Sequence, residues 1–204
     1  CAGANFGNGE ALDEKGQFKI QLEEDRVQHL YMEAVRLFEC RKPIVGAIEG
    51  PAIGGGLGLA MVPDFRVTCP EARFAANFTR LGFHPGFGLT ETLPAIVGQQ
   101  NANLMFFTSR RFRGDEARAM GLADILVAQE DVRTTAHALA EEIAENSPLG
   151  VVETRATVRA GLANRVRTAT ARELEIQKRL KATTDFKEGV KAMAERRAPN
   201  FNGS

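Results

Sequence analysis

Apolar residues at Leu22, Val27, Leu30, Tyr31, Ala34, Leu37 and Phe38 recur at near-helical spacing, which predicts a long amphipathic helix closed by Pro43. Ile44-Val45-Gly46-Ala47-Ile48 is then an unbroken apolar run, suited to a short strand buried on both faces. After Gly54-Gly55-Gly56, the stretch Leu57 to Val62 predicts a short buried helix stopped by Pro63-Asp64. Phe65-Arg66-Val67-Thr68 predicts a second strand. Strand, glycine turn, helix and strand in that order are the mark of an α/β fold. Asn77 to Thr92 carries several glycines and Pro85 and reads as a second irregular region. Helices follow over Gly98 to Phe107, Gly114 to Met120, Val132 to Ile143 and Pro148 to Gly161. In the last pair, Arg172 to Lys181 is polar on most faces, whereas Phe186, Val190 and Met193 form one apolar stripe. The expected organisation is a core over residues 1–145 and a helical region over 146–204.

Charge and cysteine content narrow the partner. The 26 Lys and Arg balance 26 Asp and Glu, so no net field draws the chain to nucleic acid or an anionic membrane. A small molecule is the expected partner. The three cysteines, Cys1, Cys40 and Cys69, are widely spaced and lack a CxxC pattern, which argues against a disulfide framework and against a zinc site. A reducing cytoplasm fits that usage. No apolar run has the length of a membrane span, and no basic stretch leads into a signal-type segment. The chain opens on Cys1 and the turn-like Ala2-Gly3-Ala4-Asn5, which reads as a fragment boundary.

Three successive glycines between a buried strand and a helix allow backbone angles closed to other residues and let a ligand approach the main chain. The free N–H groups of such a helix start stabilise an anion, either a phosphate or an oxyanion formed during reaction. Leu59 stands where the dinucleotide fingerprint wants its third glycine, and no GK[ST] sequence follows, so an oxyanion is the better fit. The same run also suits a plain tight turn.

Several motifs in order carry the choice further. Cys1-Ala2-Gly3-Ala4-Asn5 and Lys42-Pro43-Ile44-Val45-Gly46-Ala47-Ile48-Glu49-Gly50-Pro51-Ala52-Ile53-Gly54-Gly55-Gly56 resemble the core of the crotonase (enoyl-CoA hydratase/isomerase) superfamily. Arg73-Phe74, Leu81-Gly82, Pro85-Gly86, Leu93 to Gly98, Glu116 to Ala123, Glu188-Gly189-Val190 and Glu195 to Phe201 continue the likeness nearly end to end. The family's strand-rich N-terminal lead-in is missing. The resemblance implies a ββα spiral core and a helical C-terminal trimerisation region, in a trimer or a hexamer built as a dimer of trimers. It implies an acyl-CoA substrate, with coenzyme A as part of the substrate and no separate cofactor. It also implies two backbone donors for the thioester oxygen, at Ala4 and Gly55, with Ala2, Gly54, Phe78, Pro85 and Gly86 along the substrate.

The family's usual acid/base pair has no counterpart. Where hydratases of this family carry two glutamates, this chain reads Gly58 and Phe78, and where related hydrolases carry an aspartate after Pro85 it reads Gly86. Ordinary hydration is therefore not expected. The nearest titratable residues are His84 and Glu91. His84, before Pro85, has the side-chain type for general base work near neutrality, and equally suits packing between Phe83 and Phe87 with one ring nitrogen on a carbonyl. Glu91 suits the first turn of a helix. Phe78, with Phe74, Phe83 and Phe87 nearby, suits either an acyl pocket or plain core. The expected function is transformation of an acyl-CoA through a thioester enolate, with a catalytically silent acyl-CoA-binding homologue as the alternative. An RNA-binding role would need a comb of Lys and Arg along a helix, and Arg172 to Lys181 alternates charges instead.

Overall fold

A computed structural model describes Cys1 and residues 29–204, so Ala2, Ala4, Leu22 and Val27 lie outside the described residues. The helix α1 covers Leu30–Ala34, and Val35–Glu39 tightens into a 3-10 turn that buries Val35 and Phe38. The predicted long helix therefore ends at Glu39, ahead of Pro43, because the Cys40 backbone turns extended (φ -54°, ψ 133°).

Next, β1 (Val45–Ile48), β2 (Pro51–Ile53) and α2 (Gly55–Ala60) form one ββα unit. A second follows in β3 (Phe65–Thr68), β4 (Arg73–Ala75) and α3 (Leu89–Thr108). Each unit gives one strand to each of two sheets: β1 pairs parallel with β3, and β2 parallel with β4. Parallel partners need a crossover, which the second strand and helix of the unit provide. Then β5 (Phe112–Arg113), α4 (Gly114–Ala119) and β6 (Ile125–Leu126) complete the sheets, β5 antiparallel to β4 and β6 parallel to β3. The helices α5 (Val132–Ala144), α6 (Pro148–Val158), α7 (Leu162–Leu180) and α8 (Thr184–Ala194) end the chain. This is the α/β spiral with a helical C-terminal region that the motifs implied.

Two local expectations are corrected. The β1 run is an edge strand with Ala47 exposed, and the doubly buried position belongs to β3 beside it. That centre tolerates Arg66, 5% exposed, because its guanidinium donates to the carbonyls of Leu122 and Pro63 and pairs with Asp124 at 3.2 Å. The second correction concerns α3, which begins at Leu89, inside the stretch read as irregular, and kinks at Gly98 (φ 75°, ψ 159°).

The main core gathers Leu57, Phe74, Leu89, Leu93, Met105 and Leu122 between the sheets and helices. The apolar stripe of α8 packs onto it: Phe186 is buried against Phe83, with ring centroids 5.3 Å apart, and Val190 and Met193 lie alongside. Close crossing needs glycine at Gly189, where a Cβ would stand 2.5 Å from the Leu81 carbonyl carbon. A smaller core joins Val35, Phe38, Val62, Phe87 and Val166, with Tyr31 packed against it. Among the described residues no helix is long and apolar enough to cross a membrane.

Candidate functional site

The turn from β2 into α2 carries Gly54 and Gly56, both buried, and Gly55, which is partly buried. Gly54, before the helix, has φ 58° and ψ -118°, a conformation that excludes side chains, and its N–H donates to the Ala75 carbonyl at 2.9 Å. Gly55 opens α2, so no intrahelical carbonyl reaches its N–H, and among the described residues that N–H donates to none. A Cβ on Gly54 would lie 3.1 Å from the Asn77 Oδ1 and 3.8 Å from the Phe78 ring. One on Gly55 would lie 2.9 Å from the Tyr31 hydroxyl. At Gly58 the space is taken, since a Cβ would come within 2.5 Å of Phe87.

Residues 84–90 form the opposite wall, and α7 holds them there. Phe87 has φ 67°, a strained angle for a bulky residue. Glu173, 1% exposed, accepts from the N–H of Gly88 at 2.7 Å and from the N–H and hydroxyl of Thr90 at 2.9 and 2.6 Å. Its carboxylate thus caps α3, whose N-cap residue Gly88 has no side chain to do so. One turn on, the Gln177 amide donates to the His84 carbonyl at 2.8 Å. Gly86 is buried between Tyr31 and Gln177, with a built Cβ only 2.5 Å from the tyrosine ring.

The candidates from sequence fall as follows. Gly54, Gly55, Phe78 and Gly86 are brought together, with Tyr31 bridging Gly55 and Gly86, and Pro85 is buried next to Gly86. Phe78 is 2% exposed and packs edge-on to Phe83 at 5.4 Å, so it belongs to the core while touching the Gly54 position. His84 is half-buried, with Nδ1 2.8 Å from the Pro85 carbonyl. A carbonyl only accepts, so Nδ1 carries the hydrogen and Nε2 is left as an acceptor. Glu91 lies in the first turn of α3, as expected, and its carboxylate is engaged by Arg165 at 2.7 Å. Ala2 and Ala4 lie outside the described residues.

Sequence reasoning missed Tyr31 and Glu173. Tyr31 was one apolar position among several in a helical stripe. Its standing as the single tyrosine of the chain was the available signal. Burial, with the Glu173 charge adding to it, pushes the Tyr31 phenol up to about 12. Elsewhere, a cavity of about 910 Å³ is lined by Asn77, Ser109, Arg80, Arg110, Arg111, Arg196 and Arg197. Arg197 is held by Glu188 and Glu195, whereas the other four arginines have no acidic partner among the described residues. This cavity favours anions, and Asn77 joins it to the Gly54 loop.

A sequence profile described as enoyl-CoA hydratase/isomerase matches residues 1–204. The chain is 34% identical over 162 residues to a short-chain-enoyl-CoA hydratase of Clostridium acetobutylicum, covering 79% of this chain and 62% of that protein. It is 33% identical over 207 residues to the mitochondrial enoyl-CoA hydratase domain-containing protein 2 of Bos taurus, covering 100% of this chain and 68% of that one. A solved enoyl-CoA hydratase/isomerase from Pseudoalteromonas atlantica superposes with a TM-score of 0.77 at 32% identity, over 83% of this chain and 68% of its own. With the fold, the motif order and the whole-length profile in agreement, the chain belongs to the enoyl-CoA hydratase/isomerase family.

Proposed function

We propose that the protein transforms an acyl-CoA by stabilising the thioester enolate at backbone N–H groups. The observation that carries this reading is the Gly54–Gly56 loop, where Gly55 offers an N–H with no partner among the described residues, beside buried aromatic side chains. Preorganised N–H dipoles at such a site lose little to reorganisation, and one donor is worth about 3–4 kcal/mol of barrier. Ala4 is the second donor by motif. The arginine-lined cavity supplies counter-charge for a ligand carrying phosphates. His84 is the candidate base, because its Nε2 is left as acceptor.

Water addition is not the reaction we assign. It needs a proton donor and an acceptor on the substrate's two carbons, and the family's two glutamate positions read Gly58 and Phe78, the first packed against Phe87. Isomerisation, retro-aldol cleavage and decarboxylation share the enolate without that pair. The three cysteines and the family's habit suit a cytoplasmic trimer or hexamer.

The test is a panel of CoA thioesters that includes crotonyl-CoA. We expect turnover of at least one member and hydration of crotonyl-CoA far below that of a two-glutamate hydratase. Ordinary crotonyl-CoA hydration would overturn the assignment of Gly58 and Phe78. Tight binding without any turnover would favour the silent acyl-CoA-binding homologue, which the filling of the Gly58 space by Phe87 also suits.

A further inference from the structure

We propose that the Tyr31 hydroxyl is a side-chain hydrogen-bond donor to the thioester oxygen, acting beside the Gly55 N–H. The inference rests on the acyl-CoA reading above and adds a group that backbone motifs do not supply. Its first ground is position: the hydroxyl is the nearest atom to the space that a Gly55 side chain would enter, 2.9 Å from the Cβ position. The second is rigidity. The ring lies against Gly86, packs on Phe87 at 5.3 Å and on His29 at 5.0 Å, and the Tyr31 N–H donates to the His29 ring at 3.1 Å. A donor fixed before the substrate arrives costs no ordering at the moment of reaction.

The third ground is availability. Among the described residues the Tyr31 hydroxyl forms no hydrogen bond, and the nearest carboxylate in charge terms, Glu173, is already committed to Gly88 and Thr90. Burial and that carboxylate keep the phenol protonated across the physiological range, so it is a donor and not an acceptor of protons there. Neutral O–H groups in apolar sites are established partners of developing enolates. Phe78 and Phe87 have no polar hydrogen to donate, which leaves Tyr31 as the polar side chain facing Gly55 among the described residues.

The chain has one tyrosine and no tryptophan, so its near-ultraviolet absorbance and fluorescence report on residue 31 against a background of phenylalanine alone. The experiment follows exchange of the α-protons of butyryl-CoA in heavy water, by NMR, for the full chain and for Tyr31→Phe. We expect Tyr31→Phe to lower kcat for exchange about 100- to 1000-fold with KM little changed. Its melting temperature should stay near that of the parent, and butyryl-CoA should perturb the parent's tyrosine fluorescence. Equal exchange by both proteins would overturn the proposal and leave the acyl-CoA reading standing. No exchange by the parent would overturn both. If Tyr31→Phe folds poorly, global replacement of the one tyrosine by fluorotyrosine keeps the shape and changes the acidity. A rate that tracks phenol acidity then supports the donor role, and a rate indifferent to it overturns that role.

Discussion

Glycine is required in the loop that opens α2 for reasons that differ from residue to residue. Gly54 is held at φ 58°, while Gly55 faces the end of one tyrosine side chain and Gly58 faces a phenylalanine. The sequence announces the glycines but not what faces them, because Tyr31, Phe78 and Phe87 come from three separate segments and meet only in the fold. His84 illustrates the same limit. The packed reading anticipated one ring nitrogen on a carbonyl, and the structure has Nδ1 on the Pro85 carbonyl, with Nε2 left over for the base reading. If Nε2 is the base, a side chain that lacks this acceptor should turn substrate over far more slowly. His84→Gln should remove most of the rate while leaving acyl-CoA affinity intact. Turnover per folded molecule checks this, and an unchanged rate in His84→Gln eliminates the histidine as base.

Among the elements, the four-residue strands β1 and β3 were legible, while the shorter strands and the first halves of the two longest helices, α3 and α7, were not. The strand β2 has three residues, β5 and β6 have two each, and such lengths leave no period to read. The start of α3 was invisible for another reason, as its capping carboxylate comes from Glu173, more than eighty residues along the chain. Yet α7 carried a sign of its buried face. Val166, Thr170, Glu173 and Gln177 are spaced by four, three and four, a core-facing stripe written partly in polar residues. A rule that places only apolar residues inside passes over it. The docking of α6 is likewise a polar matter: Asp64 accepts from the Ile44 N–H at 2.8 Å, Arg155 at 2.9 Å and Arg159 at 2.6 Å. Burial alone would raise the Asp64 carboxyl, but the hydrogen bonds from Arg159, Ile44 and Arg155 outweigh it and hold the group below its ordinary value. A depressed carboxyl stabilises the fold above its unfolded pKa of about 4 and stops doing so as pH falls through its folded value. Asp64→Asn should therefore cost about 3 kcal/mol at neutral pH, by leaving two largely buried guanidinium groups without their anion. Denaturant melts of parent and variant should show that gap at pH 7 and see it shrink in acid; equal stabilities at pH 7 would contradict it.

For the molecule as a whole, the α/β spiral and its family were legible from motif order, because the glycine loop, the Leu-Gly and Pro-Gly turns and the C-terminal ending recur at family spacing. The particular reaction was not, since it depends on which groups surround one carbonyl. The claim that binds the account together is that this carbonyl accepts a hydrogen bond from the Gly55 N–H. A butyryl-CoA isotopically labelled at the thioester carbon gives an infrared carbonyl band that can be followed free and bound. Hydrogen bonding at an oxyanion site withdraws electron density and weakens the C=O bond. The predicted result is a bound band clearly below the solution position in the parent protein, restored towards that position in Gly55→Val, whose branched side chain would enter the space in front of Tyr31. A bound band at the solution frequency in the parent would contradict the account.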